Sequence, residues 1–350
     1  MGPLKEIKRP LGLNTWALET FDWSEDLKFR ETLQSCKQER LQYIERSTVY
    51  GDTGQNRWDP FFGDHSTEGN QFVCGITGMK KKQGGTLETN HKPGFLETRV
   101  DELVKSLPVD HLDLLCIHTP SIPEEPDKLY EIARKLKQKG RTRYVGLSFS
   151  DPDVFEDEES FQRWDVLRIP YNLVDFARHS PGCLDEVPHD LIVYDPLSGG
   201  VLTNHYANTR EEISDREVRE HHPKFSEDRF QYLRCIHRLA EYLKKEGREN
   251  MQLETMAVSW LLERVSADVV SLSFRNPEQV LGIFSALEHG LVDREINEIE
   301  SIVEETLSDV SRLQFINPPP VLPRHTLERH ILRADPRGER SSSQLQGMEI

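Results

Sequence analysis

Short apolar runs alternate with amphipathic stretches along most of this 350-residue chain. The run H-L-D-L-L-C-I-H (111–118) predicts a buried strand, and residues 127–140, with apolar positions at i, i+3 and i+4 and a closing glycine, predict a helix. The same alternation predicts strands at 11–17, 42–47, 71–77, 111–118, 143–148, 164–169, 190–194 and 268–273. Helices are predicted at about 25–38, 95–107, 127–140, 152–162, 228–246, 253–265, 277–287 and 292–306.

This order of elements predicts an α/β fold with a parallel sheet, because parallel strands cannot be joined by a tight hairpin. Eight strand–helix units fit a (β/α)8 TIM barrel better than a doubly wound sheet, since no G-x-G-x-x-G follows the first strand. We therefore predict a barrel over 11–315, preceded by an N-terminal segment, 1–10. Residues 51–70, rich in Gly, Asp and Pro, are predicted to form a loop, and 316–350 a partly disordered tail that is Pro-rich and then basic.

The composition argues against nucleic acid, metal ions and membranes as partners. The formal net charge of −16 argues against nucleic acid as a partner, because phosphates demand a basic surface. The five cysteines are scattered without a C-x-x-C pair, and His221 and His222 are adjacent, so no metal site is indicated. With neither a signal peptide nor an apolar run long enough to span a bilayer, the expectation is a cytoplasmic protein without a membrane partner.

Barrel geometry brings separate motifs to one place, since active sites of such barrels lie at the C-terminal ends of the strands. The predicted strand ends carry Thr15 and Trp16, Glu45 and Tyr50, His118, Ser148, Arg168, the segment Y-D-P-L-S-G-G-V-L-T (194–203), and Ser273 with Arg275. These positions are therefore the candidates for ligand binding and catalysis.

The segment Y-D-P-L-S-G-G-V-L-T resembles the aromatic-x-P-L-x-x-G-x-L-T loop with which aldo-keto reductases cover the cofactor pyrophosphate. Further similar motifs follow the order of that family: D-L-L-C-I-H-T-P (113–120), K-G-R-T-R-Y-V-G-L-S (139–148), I-P-Y-N-L-V (169–174) and R-N-P-E-Q-V (275–280). The chain looks like a member of this family, closest to the branch that includes the potassium-channel β subunits. The resemblance implies transfer of a hydride from NADPH to a small carbonyl compound, or the reverse oxidation of an alcohol.

The resemblance also implies catalytic roles. Tyr50 matches the tyrosine that gives a proton to the carbonyl oxygen, and His118 matches the histidine that orients the carbonyl. A free tyrosine has a pKa near ~10 and must be tuned to act as a general acid. The family uses a lysine paired with an aspartate for this purpose. Here Glu45 stands at the aspartate position, Gly78 at the lysine position, and Lys80 is the nearest lysine.

For the cofactor, the resemblance implies that Ser148 contacts the nicotinamide carboxamide and that Arg275 binds the 2′-phosphate. Arg168 stands where the family has glutamine, and Phe149 where asparagine is common. The full set of candidate cofactor-binding residues is Thr15, Trp16, Ser148, Arg168, Tyr194, Pro196, Leu197, Ser198, Gly200, Leu202, Ser273, Arg275 and Gln279.

Two alternatives stay open from the residues. The departures at Gly78, Phe149 and Arg168 also fit a barrel that binds or regulates without redox activity, because fold does not fix function. A non-redox lyase or isomerase could use Tyr50, His118 and Glu45 as its acid–base set. The channel-subunit resemblance additionally raises assembly into a homo-oligomer.

Overall fold

The structure, a computed structural model, describes residues 2–15, 26–47, 71–81, 87–107, 109–120, 123, 125–150, 161–176, 184, 189–208, 224, 229–285, 288 and 290–308. The strands in these ranges are β1 (Leu11–Asn14), β2 (Tyr43–Ser47), β3 (Phe72–Thr77), β4 (Met79–Lys81), β5 (Leu87–Thr89), β6 (Leu112–Thr119), β7 (Thr142–Phe149), β8 (Val166–Pro170), β9 (Asp190–Tyr194) and β10 (Val269–Leu272). Within them a closed parallel barrel runs in the order β1-β10-β9-β8-β7-β6-β3-β2. The predicted (β/α)8 barrel is confirmed.

Helices cover the outside of the barrel. They are α1 (Asp26–Gln38), α2 (Pro93–Lys105), α3 (Pro126–Gln138), α4 (Asn204–Asn208), α5 (Arg229–Lys245), α6 (Leu253–Arg264), α7 (Pro277–Phe284) and α8 (Asp293–Leu307). Over the ranges that the structure describes, none of the helices combines the length and the apolar content needed to cross a bilayer.

Alternate residues of each barrel strand face the interior, and the others face the helices. The larger apolar core lies between barrel and helices and includes Leu147, Phe149 and Trp260. A smaller interior cluster fills the barrel below the strand ends; its members include Tyr43, Phe72, Cys74, Leu114, Cys116, Val166, Ile192 and Val269.

The N-terminal segment closes the bottom of that interior. A 3-10 helix, Pro3–Glu6, inserts Leu4, which is 1% exposed, among the interior residues. The Leu4 amide donates to Asp190 Oδ2 at 2.6 Å, at the start of β9. Lys5 pairs with Asp268 at 2.5 Å. Apolar packing therefore closes the N-terminal end of the barrel.

Several observed elements were not predicted: the 3-10 helix Pro3–Glu6, α4, and an antiparallel hairpin of β4 and β5 that leaves the barrel directly after β3. Several predictions fall outside the described residues, namely the loop 51–70, most of the helix 152–162 and the tail 316–350. The division into segments 1–10, 11–315 and 316–350 stays a prediction.

Candidate active site

A polar layer lies at the C-terminal end of the barrel interior. Strand register places His118 beside Ser148 and Ser148 beside Arg168, on β6, β7 and β8. Across the barrel, Asn14 stands beside Glu45, on β1 and β2. Since these residues share the inward face of their strands, their side chains meet although they are far apart in the sequence.

The centre of this layer is a buried ion pair between Glu45 and Arg168. The guanidinium binds both carboxylate oxygens, with Nη2 at 2.5 Å from Oε1 and Nε at 2.8 Å from Oε2. Glu45 is 2% exposed and Arg168 5%. The carboxylate also accepts from Asn14 Nδ2 at 2.6 Å, and from the hydroxyls of Tyr43 and Ser271, both at 3.2 Å. This bidentate geometry gives the pair both strength and a fixed orientation.

The rest of the Arg168 guanidinium is occupied as well. Its Nη1 donates to Ser148 Oγ at 2.9 Å, and its central carbon lies 3.7 Å from the ring centroid of Tyr194. The Tyr194 hydroxyl donates to the Phe149 carbonyl at 2.6 Å, which fixes the ring under the cation. Burial disfavours the charged guanidinium, but the adjacent Glu45 carboxylate outweighs it and raises the pKa of Arg168.

His118 continues the hydrogen-bond row beyond Ser148. Its Nδ1 lies 3.0 Å from Ser148 Oγ and its Nε2 lies 3.1 Å from Ser150 Oγ. Burial, helped by the charges of Arg168 and His91, lowers the pKa of His118 from 6.5 to about 3. The imidazole is therefore neutral at ordinary pH.

The direction of this row bears on the tautomer of that imidazole. An arginine can only donate, so Ser148 Oγ accepts from Arg168, and the Ser148 hydroxyl proton is available to His118 Nδ1. In the tautomer that accepts this proton, Nε2 carries the hydrogen and presents an N–H donor on the Ser150 side.

Lys80 is not part of this layer. Gly78 follows β3 with a φ of 102°, and the chain turns there into β4. Lys80 Nζ pairs with Glu88 at 2.8 Å, and its side chain is 47% exposed. A Cβ at Gly78 would stand 2.6 Å from the His118 carbonyl oxygen. This backbone therefore leaves no room for a lysine at position 78, where the family has one. Lys80 thus lies outside the layer around Glu45, and its role in tuning the tyrosine stays a prediction, because Tyr50 lies outside the described residues.

The loop after β9 forms a second buried polar cluster. Ser198, with a φ of 52°, is fully buried, and its hydroxyl is bound by the ammonium of Lys224, which also pairs with Asp175. Asp195 Oδ1 accepts from the Gly199 amide at 2.6 Å. Burial raises the pKa of Asp195 from 3.8 to about 6, although the Lys224 charge opposes the shift.

The other candidates of this loop divide between its surface and the core. Pro196 is buried, whereas Leu197 and Gly200 are partly exposed in the turn. Leu202 is fully buried in the core under the helices. The side chain of Leu202 therefore packs the loop against the barrel, and its role in cofactor binding stays a prediction.

The β10 side of the mouth holds the remaining candidates. Ser273 Oγ donates to the Asn14 carbonyl at 3.1 Å, and the buried Thr15 donates its amide to the Glu45 carbonyl at 3.1 Å. The Arg275 amide donates to Gln279 Oε1 at 2.7 Å, at the N-terminus of α7. Arg275 is thus positioned beside the positive end of a helix.

Tyr50 and Trp16 lie outside the described residues. Six residues of the two polar clusters were not predicted: Asn14, Tyr43, Ser150, Asp175, Ser271 and Lys224. All except Asp175 and Lys224 could have been found from the alternation of inward positions, since each lies two residues from a candidate along the chain or stands beside one in register. No sequence signal marks Lys224.

Phe149 explains one departure from the aldo-keto reductase motif. Its side chain is fully buried and packs edge-on against Phe161, with ring centroids 5.1 Å apart. The position where the family often has asparagine is therefore used for packing between the barrel and its helical layer.

Comparison with known proteins places this arrangement in a family. The sequence profile described as "Aldo/keto reductase family" matches residues 72–304. The aldo-keto reductase YhdN of Bacillus subtilis (strain 168) is 23% identical over 320 residues, covering 88% of this chain and 94% of the relative. The NADH-specific methylglyoxal reductase of Escherichia coli (strain K12) is 25% identical over 247 residues, covering 66% of this chain and 73% of the relative.

Among solved structures, the glycerol dehydrogenase AKR11B4 from Gluconobacter oxydans superposes with a TM-score of 0.69 at 20% identity, covering 88% of this chain and 97% of that one. At this identity the likeness shows the fold. The closer resemblance to the branch with the potassium-channel β subunits stays a prediction. The profile match, by contrast, spans most of the chain, so the chain belongs to the aldo/keto reductase family, whose members are oxidoreductases that use nicotinamide cofactors.

Proposed function

We propose that this chain reduces a small carbonyl compound to an alcohol with NADP(H), or runs the reverse oxidation, with Tyr50 as the proton donor. The observation that carries the proposal is the neutral His118 at the mouth of the barrel. In the tautomer whose Nδ1 accepts from Ser148, its Nε2–H on the Ser150 side is a donor of the kind that a carbonyl oxygen requires. A carbonyl bound there takes the place of the Ser150 hydroxyl as acceptor.

In this proposal Tyr50 delivers its proton to the carbonyl oxygen that His118 orients. The transfer needs a nearby positive charge to lower the tyrosine pKa. Lys80 is turned away, so the candidate cation is Arg168, whose charge is held in the layer by Glu45. Glu45 acts as a positioning residue, since it touches the guanidinium through both oxygens.

When bound, the cofactor supplies the hydride. The residues at the C-terminal end of the barrel fit its phosphates and its nicotinamide ring differently. Arg275 at the N-terminus of α7 fits a phosphate, because a guanidinium and a helix N-terminus both favour anions. This supports NADP(H), although one relative is NADH-specific by name. At the nicotinamide end, Ser148 is present but is bound by Arg168. The fit is therefore good for the phosphates and poor for the ring.

The relatives suggest the class of substrate. One is named for methylglyoxal and one structural neighbour for glycerol, both small polar three-carbon compounds. We extend this to the present chain as a small hydroxylated or dicarbonyl substrate.

The test follows NADPH oxidation by the purified chain with a panel of small aldehydes and ketones that includes methylglyoxal. Tyr50→Phe should lower turnover by about 10²- to 10⁴-fold with little change in NADPH affinity, because the hydroxyl acts only in the transition state. Tyr130→Phe is the matched control, since Tyr130 packs against Trp164 on the outer surface. Full turnover in Tyr50→Phe would remove the proposed role of Tyr50.

A second candidate, a barrel of this family without redox activity, is favoured by one observation. Arg168 uses Ser148 and the face of Tyr194, two residues expected to serve the cofactor. Absence of turnover by the wild-type chain with every carbonyl compound and with both NADPH and NADH would support this candidate over the first.

A further inference from the structure

We infer that the guanidinium of Arg168 occupies the place that the nicotinamide ring of a bound cofactor would take, so that the ring is excluded unless Arg168 withdraws. The inference rests on the proposed function only for the identity of the cofactor. It is tested by binding, and it implies that the proposed turnover requires Arg168 to leave Ser148 and the Tyr194 face when the cofactor binds.

The first step is the competition for Ser148. A nicotinamide carboxamide bound at this position needs the Ser148 hydroxyl. That hydroxyl already accepts from Arg168 at 2.9 Å and lies 3.0 Å from His118 Nδ1. Ser148 is fully buried, so an incoming carboxamide would have to displace one of these two partners to reach its oxygen.

The second step is the competition for the aromatic face of Tyr194. Stacked rings place their centroids ~4.5–7 Å apart. The Arg168 guanidinium carbon lies 3.7 Å from the Tyr194 centroid and thus inside that spacing. Tyr194 is 7% exposed, and its hydroxyl is fixed on the Phe149 carbonyl. A ring cannot stack on this face while the guanidinium covers it.

The third step is that the guanidinium is anchored. Two of its nitrogens bind Glu45, at 2.5 and 2.8 Å, and Glu45 is itself held by Asn14 and Ser271. A flexible side chain would yield at little cost, but one fixed by a buried bidentate pair does not. The oxidised cofactor meets a further penalty, because its ring carries a positive charge of the same sign as Arg168.

The exclusion depends on the arginine at position 168. The glutamine that the family has there is shorter and neutral, so it would not pair with Glu45 in this way. Arginine is longer, and its guanidinium reaches across the barrel interior to the Glu45 carboxylate. With arginine at position 168, the side chain therefore fills the position of the ring and does not contact a bound cofactor.

The experiment compares two ligands that differ in the ring. NADPH and ADP-ribose 2′-phosphate, which has the adenosine and all the phosphates but no nicotinamide, are titrated by calorimetry against four proteins. These are the wild type, Arg168→Gln, the double variant Glu45→Gln/Arg168→Gln, which leaves no unpaired buried charge, and Arg143→Gln. The last is a control that removes an arginine paired with Asp113 at 3.0 Å, at the start of β7.

We expect the wild type and Arg143→Gln to bind both ligands equally within about twofold, since the ring gains nothing. Arg168→Gln and the double variant should bind NADPH at least about tenfold more tightly than the ring-free ligand. The inference is overturned if wild-type protein already prefers NADPH by about tenfold. It is also overturned if the folded double variant shows no preference, including the case in which no protein binds either ligand. Loss of turnover in Tyr50→Phe, or its retention, bears on the proposed function and leaves this comparison unaffected.

Discussion

Removing one partner of the Glu45–Arg168 pair should destabilise the fold far more than removing both. The two side chains are 2% and 5% exposed, so a partner left alone is a charge buried without compensation. Breaking a buried pair from one side costs roughly 3–5 kcal/mol, whereas replacing the whole pair with uncharged residues is often nearly neutral. The experiment is a double-mutant cycle with Glu45→Gln, Arg168→Met and the combination.

The structure also predicts which single variant is worse. In Arg168→Met, the Glu45 carboxylate keeps its hydrogen bonds from Asn14, Tyr43 and Ser271, so the cost should be near ~3 kcal/mol. In Glu45→Gln, the Arg168 guanidinium keeps its charge but loses the opposite one. Because Ser148 and the Tyr194 face cannot neutralise it, the cost should approach ~5 kcal/mol.

The measurement is urea unfolding at pH 7, followed by tryptophan fluorescence, with the free energy of unfolding from linear extrapolation. The double variant should lose less unfolding free energy than the sum of the losses in the two single variants, by at least about 2 kcal/mol. Arg143→Met, which removes a pair whose arginine is 48% exposed, should cost less than about 1 kcal/mol and serves as the control. Additive single effects, with a coupling below about 0.5 kcal/mol, would show that the buried pair does not form as described.

Two further predictions concern His118 and Gly78. The pKa of His118 is lowered from 6.5 to about 3, so in acid the unfolded chain binds a proton that the folded chain does not. Wild-type stability measured against His118→Asn should therefore fall by about 1.4 kcal/mol per pH unit below 6.5 and level off near pH 3; a pH-independent difference would contradict the assigned burial. Restoring the family lysine as Gly78→Lys should cost roughly 1–3 kcal/mol for its φ of 102°, plus the clash of its Cβ with the His118 carbonyl. Gly140→Lys, with a φ of 70° and nothing within 4 Å of its Cβ, should cost less by thermal melting, and equal costs would refute the steric argument.

The fold could be predicted because its signals are local. Alternation of apolar runs and amphipathic stretches gives the order of strands and helices, and connection length gives the parallel pairing. The hairpin of β4 and β5 was not predicted because the charged segment K-K-K (80–82) is typical of a solvated loop, and the pairing depends on the turn that the chain makes at Gly78. The short helix α4 likewise has too few residues to show a period.

The candidate residues could be named, but not their partners. The motifs place Glu45, His118, Ser148 and Arg168 at strand ends, and the register of the barrel brings them into one layer. Nothing in the motif around Arg168 indicates that its cation turns toward Glu45, 123 residues earlier, and not toward a ligand. A buried charge pairs with an opposite charge that its side chain can reach. Which charges lie that close is decided by the closure of the barrel.

The sequence by itself determined the barrel, the membership of the aldo/keto reductase family and the absence of a lysine directly after Thr77, because periodicity, motif order and residue identity are written along the chain. Only the tertiary structure decided what fills the mouth of that barrel. Closure of the sheet sets β2 and β8 across from each other, and the lengths of Glu45 and Arg168 then let their charges meet over Tyr194. The physical reason is that a buried guanidinium must find its counter-ion within the few ångströms that its side chain can span.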